Sequence, residues 1–219
     1  MNKNILRFIK RVLKLQIGFM LIALGTVFAL KSNLGLNSWG ILHEGLSKQL
    51  GISFGRATQL VGLILITINA ILGMWPGIGT VINMICIGLY TDLFIFLLAN
   101  FTFNTFISRL LILLCGLIFI GFGSAHYITV KMGTGPRDGL TLTLTKLSGL
   151  KVSIVRIILE VTAIILGYLM GGTFGIGTFL SGALSGPILG KSLEILKYDP
   201  KVEKQENARD TINSILGKN

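Results

Sequence analysis

The chain is predicted to be an all-α polytopic membrane protein, with six spanning helices and two short re-entrant or half-buried helices, built as an internal duplication. Three observations predict this. Hydrophobic residues make up 52% of the 219 residues and charged residues only 13%, about half the charge of an ordinary soluble domain. Long uncharged runs recur along the whole length, and the sequence repeats itself at an offset of 98 residues. So hydrophobic a chain is not disordered. Its 28 glycines keep no three-residue period, which excludes collagen.

A membrane helix needs about 20 mainly apolar residues. The first candidate covers 12–30 and follows Lys3, Arg7, Lys10, Arg11 and Lys14. In outline it imitates a signal peptide, but no small-x-small site precedes Lys31 and more apolar segments follow, so it reads as a retained span. The second, 57–75, is uncharged; the third, 79–101, contains only Asp92; the fourth, 110–130, has no Asp, Glu, Lys or Arg. Val161 to Gly190 is uncharged and too long for one helix. Gly171-Gly172 divides it, giving spans at 153–170 and 175–195.

The formal net charge of +11 raises nucleic acid as a partner, and its distribution argues against one. Basic residues cluster in the first fourteen positions, in short stretches between apolar runs, and in a tail with Lys191, Lys197, Lys201, Lys204, Arg209 and Lys218. Lys and Arg near span ends resist translocation. Both termini are therefore expected in the cytoplasm of a multi-pass cell-membrane protein whose evident partner is the lipid bilayer. Residues 1–14 form a basic cytoplasmic N-terminus, 15–101 a first repeat, 110–196 a second, and 197–219 a charged cytoplasmic tail. Cys86 and Cys115 lie inside apolar runs and read as packed thiols, not as a disulfide or zinc framework.

Two segments, 37–50 (NSWGILHEGLSKQL) and 135–150 (GPRDGLTLTLTKLSGL), are too short or too polar to span. Such segments sit at membrane depth only when buried in protein or lining a wet cavity. The alternative is a pair of amphipathic helices on the surface; the half-buried reading is preferred.

The duplication rests on many matches at one offset. Gly18 falls on Gly116, Gly25 on Gly123, Leu42 on Leu140, Lys48 on Lys146 and Gly51 on Gly149. Gly77-Ile78-Gly79-Thr80 falls on Gly175-Ile176-Gly177-Thr178 without a mismatch. Ser53 and Arg56 align better with Ser153 and Arg156, a slip to an offset of 100. Each half then holds a span, a short polar helix and two further spans. If the short helix does not cross, the halves are inverted; if it crosses, they are parallel four-span units. Inversion is expected from the five basic residues around the second short helix (Lys131, Arg137, Lys146, Lys151, Arg156) against three around the first (Lys31, Lys48, Arg56), and from the uncharged middle loop Asn100 to Ser108.

Gly35-Leu36-Asn37-Ser38-Trp39-Gly40-Ile41-Leu42-His43-Glu44-Gly45-Leu46-Ser47 resembles the glycine-proline-tryptophan-aspartate signature of the YczE/YyaS/YitT group of bacterial membrane proteins. Met132-Gly133-Thr134-Gly135-Pro136-Arg137-Asp138-Gly139-Leu140 resembles its second copy. The paired Gly-Ile-Gly-Thr motifs and Gly186-Pro187 fit the same pattern, and the resemblance extends to about Leu196. The first copy departs from it: Asn37-Ser38 replaces Gly-Pro and Gly40 replaces the acidic residue, so Asp138 alone supplies that acid. The resemblance implies a bacterial integral membrane protein.

Gly133 to Leu140 is the best candidate site. Gly133 and Gly135 let backbone approach closely, and Pro136 suits a first helical position. The helix start would present unpaired N–H groups and partial positive charge, which suits an anion. Arg137 and Asp138 add charge there. Broken helices of this kind form substrate sites in repeat-built transporters; the plainer reading is an interfacial loop with a helix cap. Asn37, Ser38, Trp39, His43 and Glu44 are the corresponding residues of the first half. Arg156 and Glu160 share a helix face and either work in the interior or snorkel to the interface. Asp92 is a candidate proton or cation site, while His126 reads as a packing residue. Gly77, Gly79, Thr80, Gly175, Gly177, Thr178, Gly186 and Pro187 read as helix-packing positions; Gly167, Gly171 and Gly175, and again Gly182, Gly186 and Gly190, recur every four residues, a spacing that lets helices approach. Gly-Ile-Gly-Thr is no nucleotide-binding turn.

No enzymatic constellation is evident: His43-Glu44 lacks the second histidine of a zinc-protease helix, and nothing calls for a cofactor or metal. The expected function is a small-solute permease with a cavity lined by the two short helices, its unknown solute suited to negative charge. The alternative is a non-transport accessory or regulatory factor that docks a partner, with the tail 197–219 as a docking helix or a merely solvated end. The sequence is compatible with a homo-oligomer.

Overall fold

The computed structural model describes residues 3–199 and 205–216. Among them every regular element is a helix: α1 (Lys3–Ser32), α2 (Ser38–Leu50), α3 (Phe54–Ile71), α4 (Ile78–Leu97), α5 (Phe106–Ile128), α6 (Pro136–Ser148), α7 (Val152–Leu169), α8 (Ile176–Ile195) and α9 (Ala208–Leu216). Five of them, α1, α3, α4, α5 and α7, are long and apolar enough to cross a membrane. The first departs from expectation by beginning at Lys3, so the basic N-terminus continues the helix rather than preceding it. The division of the long apolar stretch at Gly171-Gly172 falls between α7 and α8. Large side chains such as Ile71, Phe96 and Leu169 are about three-quarters exposed on the outer face. That is a surface for lipid, since water-soluble monomers rarely show continuous apolar patches of this kind.

The two helices that open each half, α1 and α5, run antiparallel and are pressed together. Gly18 lies opposite Gly123 and Gly25 opposite Gly116. A Cβ added at Gly18 would stand 2.8 Å from the Gly123 carbonyl oxygen, and one at Gly116 would stand 2.7 Å from that of Gly25. Only glycine permits this approach. Phe19 and Tyr127 pack 5.8 Å apart at one end of the contact and Phe28 and Phe119 5.7 Å apart at the other. The ends are tied by Arg11 Nη2, which donates to Val130 O at 2.9 Å, and by Arg109, which donates to Ser32 O and Asn33 O.

The helices after α1 and after α5 match in length. α2 and α6 have 13 residues, α3 and α7 have 18, and α4 and α8 have 20, and each pair starts 98 positions apart. The turns match too, with positive φ at Gly35 and Gly133, Gly51 and Gly149, Gly73 and Gly171, and even at Asn33 and Lys131. The expected slip to 100 at Ser53 and Arg56 is therefore absent from the backbone. Ser53 caps α3, accepting from Arg56 N, whereas Ser153 lies inside α7 behind Lys151.

The Gly-Ile-Gly-Thr motifs open α4 and α8, and each meets the turn of the opposite half. Gly79 N donates to Met132 O at 2.8 Å and Gly177 N to Leu34 O at 2.7 Å. Thr80 Oγ1 donates to Thr134 O at 2.6 Å, and Thr178 Oγ1 lies beside Gly35. At Gly35 and Gly133, φ of 108° and 119° excludes ordinary side chains.

The short helices are not surface elements. α2 packs on α7 and α3, α6 on α3 and α7, and they bury Trp39, Gly40, Ile41 and Gly45 in one, Gly139, Leu140 and Thr143 in the other. The two contacts use different chemistry at matching places. Gly45 rests on the backbone of Gly167, while Thr143 Oγ1 donates to Asn69 Oδ1 at 2.9 Å. Of the expected tail, 200–204 and 217–219 lie outside the described residues, and 205–216 are not a free solvated end. Gln205 donates to Ile128 O at 3.0 Å, Glu206 pairs with Arg11 at 2.9 Å, and α9 packs against α1.

The two halves differ in one respect. α3 packs along α4, with Gly55 against Gly88, Gly62 against Met84, and Gln59 Nε2 donating to Ile85 O at 2.9 Å. α7 and α8 part after their connecting loop, and a Cβ added at Gly182, Gly186 or Gly190 would meet no neighbouring element within 4 Å. The expected packing role of Gly186 is thus corrected: its stripe faces open space, and Pro187 lies within the same helix. Gly25→Val should lower the stability of the detergent-extracted protein by about 1–3 kcal/mol through overpacking. Gly182→Ala should leave it unchanged or raise it by about 0.5–1 kcal/mol through helix propensity, both read from thermal melting.

Candidate solute site

The N-terminal ends of α2 and α6 open into one cavity of about 370 Å³. α2 starts at Asn37, whose Oδ1 accepts from Gly40 N at 2.8 Å. α6 starts at Pro136 and has no side-chain cap, so backbone N–H groups of its first turn lack helical partners. Asn37, Ser38, Trp39 and His43 from α2, Gly135, Pro136, Arg137 and Asp138 from α6, and Arg156 and Glu160 from α7 all line the cavity. Residues expected at the site from both halves thus share one wall.

Charge in the cavity is internally balanced. Arg137 Nε stands 3.7 Å from Asp138 Oδ1, and Arg156 Nε stands 3.1 Å from Glu160 Oε1. Each of the four side chains remains at least one-third exposed, so each pair is partly solvated and is worth at most about 1 kcal/mol. The Tyr127 hydroxyl sits beside the Gly135 backbone and the Asp138 carboxylate. His43 Nδ1 lies 3.3 Å from Thr58 Oγ1, and its ring meets Phe54 edge-on. Burial pulls the His43 pKa down to about 3, and the nearby Arg137 charge pushes the same way; the imidazole is neutral at physiological pH.

Other expected site residues are engaged elsewhere. Glu44 turns away from the cavity and accepts from Thr173 N at 2.6 Å and Thr173 Oγ1 at 2.9 Å, with Lys48 Nζ 2.7 Å away. It fastens the α7–α8 loop to α2. Gly133 lies against Thr80 and Gly77 in the docking turn. Asp92, the candidate ion site, accepts from Ser53 Oγ at 2.5 Å and Gly55 N at 2.7 Å, so it holds the start of α3 to α4. His126 stacks with Phe122, and its Nε2 is buried without a hydrogen bond. Among the described residues no cluster of His, Cys, Asp and Glu is arranged to hold a metal.

The sequence reading missed Asn83, Ser181, Thr58 and Tyr127, all on the cavity wall. Asn83 and Ser181 each follow a Gly-Ile-Gly-Thr threonine by three residues, one helical turn, so the repeat itself carried the missing signal. Ser181 is 1% exposed and its hydroxyl has no hydrogen-bond partner.

This arrangement defines an integral membrane protein whose apolar helices enclose a cavity carrying paired charges. The chain belongs to DUF6198, a family of unknown function, whose profile matches residues 9–192. It is 30% identical over 187 residues to the uncharacterized membrane protein YczE of Bacillus subtilis (strain 168), covering 83% of this chain and 86% of the relative. It is 33% identical over 175 residues to the uncharacterized protein YyaS of the same strain, covering 79% and 87%. It is 30% identical over 193 residues to an uncharacterized protein of Haemophilus influenzae (strain ATCC 51907 / DSM 11121 / KW20 / Rd), covering 88% of each. No solved structure matches the chain.

Asp92→Ala should destabilise the protein by about 2 kcal/mol, because it removes the hydrogen bonds that Ser53 Oγ and Gly55 N donate to a charged acceptor. Arg137→Gln should change stability by less than about 1 kcal/mol. Parallel melts of the two variants in detergent would separate the structural acid from the cavity cation.

Proposed function

We propose that the chain is a small-solute permease. In this reading α8 is the sixth span, residues 15–101 and 110–196 are inverted repeats, and both termini lie in the cytoplasm. The antiparallel α1–α5 contact and the constant 98-residue spacing of matching helices support the inverted duplication. The arginines and lysines at both ends support the placement of the termini. The observation that carries the transport reading is the convergence of two non-spanning helix starts on one charged cavity. Repeat-built transporters hold substrate in this way, and charge inside a membrane protein is costly without a role.

The unequal seams supply the movement. Gly55 against Gly88 and Gly62 against Met84 close α3 on α4. At the matching places in the second half stand Ser153 and Gly186, and Glu160 and Gly182. The small residue has changed sides in the second of these, so α8 offers a notch where α3 offered one. In the alternate state α7 closes on α8, Glu160 enters beside Gly182, and α3 releases α4.

Metabolite profiles of cells with and without the gene supply the candidate solute, and counterflow of that solute into vesicles holding the purified protein alone tests the activity. Arg137→Gln should abolish counterflow while the protein still melts normally. With Cys86 and Cys115 removed, cysteines placed at Ser153 and Gly186 should crosslink and arrest counterflow. If the purified protein moves none of the solutes that change in cells, the permease reading falls.

A further inference from the structure

We propose that the cavity holds the carboxylate of a small organic monoanion between the starts of α2 and α6, with the Ser181 hydroxyl donating to it. The assignment rests on reading the cavity as a solute site.

Two helix starts facing one space give it a fractional positive charge at each end. That alone would not specify a ligand. The second observation is Ser181: it lies on the cavity wall, it is 1% exposed, and its Oγ has no hydrogen-bond partner. A buried hydroxyl left without a partner is unfavourable, so the position is built for something that arrives. Ser181 is also well placed, one turn beyond Thr178, which touches Gly35 in the turn that leads into α2.

The charge of the ligand follows from the balance of the wall. Arg137 already faces Asp138, and Arg156 already faces Glu160. The ionised side chains therefore cancel, and the surplus comes only from helix ends and neutral donors. A surplus of that size suits one negative charge. A phosphate dianion would meet two carboxylates without a free cation, and an ammonium would meet the positive ends of two helices. The rest of the wall includes Val61, Leu65, Leu117 and Ile120, which calls for an apolar body behind the carboxylate. A cavity of about 370 Å³ is of the size that takes small ligands.

The test uses the full chain purified in detergent, with butyrate and hexanoate as probes, their amides as uncharged matches, and butylamine and inorganic phosphate as contrasts. The readouts are thermal melting and the fluorescence of Trp39, which lines the cavity, in a Trp75→Phe background. The carboxylates should raise the melting temperature and alter Trp39 emission, while the amides, butylamine and phosphate should not. Ser181→Ala should weaken carboxylate binding about tenfold, the effect of one hydrogen bond to a charged group. The same variant should melt no lower than the parent without ligand, because it removes an unpartnered buried group. Equal binding of amides, preference for phosphate or butylamine, absence of carboxylate binding, or unchanged affinity in Ser181→Ala would each overturn the assignment. Carboxylate binding without carboxylate counterflow in vesicles would overturn the permease reading and leave the site standing. Counterflow of an uncharged solute without carboxylate binding would do the reverse.

Discussion

The arrangement depends on a reciprocal contact between the start of one helix and the turn before another. Gly79 N reaches Met132 O, and Gly177 N reaches Leu34 O, so each half supplies a helix start to the other and receives one in return. The exchange satisfies backbone groups that would otherwise be orphaned in an apolar surrounding, where an unpaired N–H is most costly. It also fixes the short helices. The turn at Gly35 leads into α2 and the turn at Gly133 leads into α6, so docking the turns aims both helix starts at the same space. A side chain at Gly77 or Gly175 would strike a carbonyl oxygen of the opposite half, and the aim would be lost with the contact.

Most of the helices were legible because membrane spans are written as long apolar runs and short helices as polar interruptions of defined length. The Gly-Ile-Gly-Thr tetrapeptides marked themselves by recurring, but a recurring motif says nothing of what it touches, and here each touches the other copy's turn. Glu44 shows where one-dimensional reading stopped. It is adjacent to His43, yet successive helical residues point about 100° apart, so His43 faces the cavity while Glu44 faces the α7–α8 loop. Asp92 seemed isolated because its partners, Ser53 and Gly55, lie 37 or more positions away. The stripe at Gly182, Gly186 and Gly190 defined a smooth face correctly, but smoothness does not show whether a neighbour is present. Ser181 and Asn83 were overlooked because single polar residues are unremarkable in a span; only their matched positions and their burial distinguish them.

The asymmetry between the seams extends to the two short helices of matching length. The α2–α7 contact relies on bare backbone at Gly45 and Gly167, and the matching α6–α3 contact on a hydrogen bond between Thr143 and Asn69. Glycine contacts slide at little cost, whereas a buried hydrogen bond is lost all at once. At this matching place one short helix is held by shape and the other by a specific pair, while Glu44, Lys48 and Gln49 tie α2 to the end of α7 and its following loop by hydrogen bonds. Arg137 and Asp138, whose counterparts in the first half are Trp39 and Gly40, sit on the helix held by the specific pair.

The C-terminal segment has a counterpart nowhere in the first half. Gln205 accepts from Gly133 N and donates to Ile128 O, Glu206 N donates to Lys131 O, and Arg11 closes the clasp. It grips the turn before α6, whereas the matching turn before α2 is held by Arg109 at Ser32 O and Asn33 O. In the exchange that the permease proposal requires, a contact available to one arrangement only shifts the balance by its own strength. Under that proposal the tail would act as a counterweight on a two-armed scale, setting the resting position without altering a residue of the cavity.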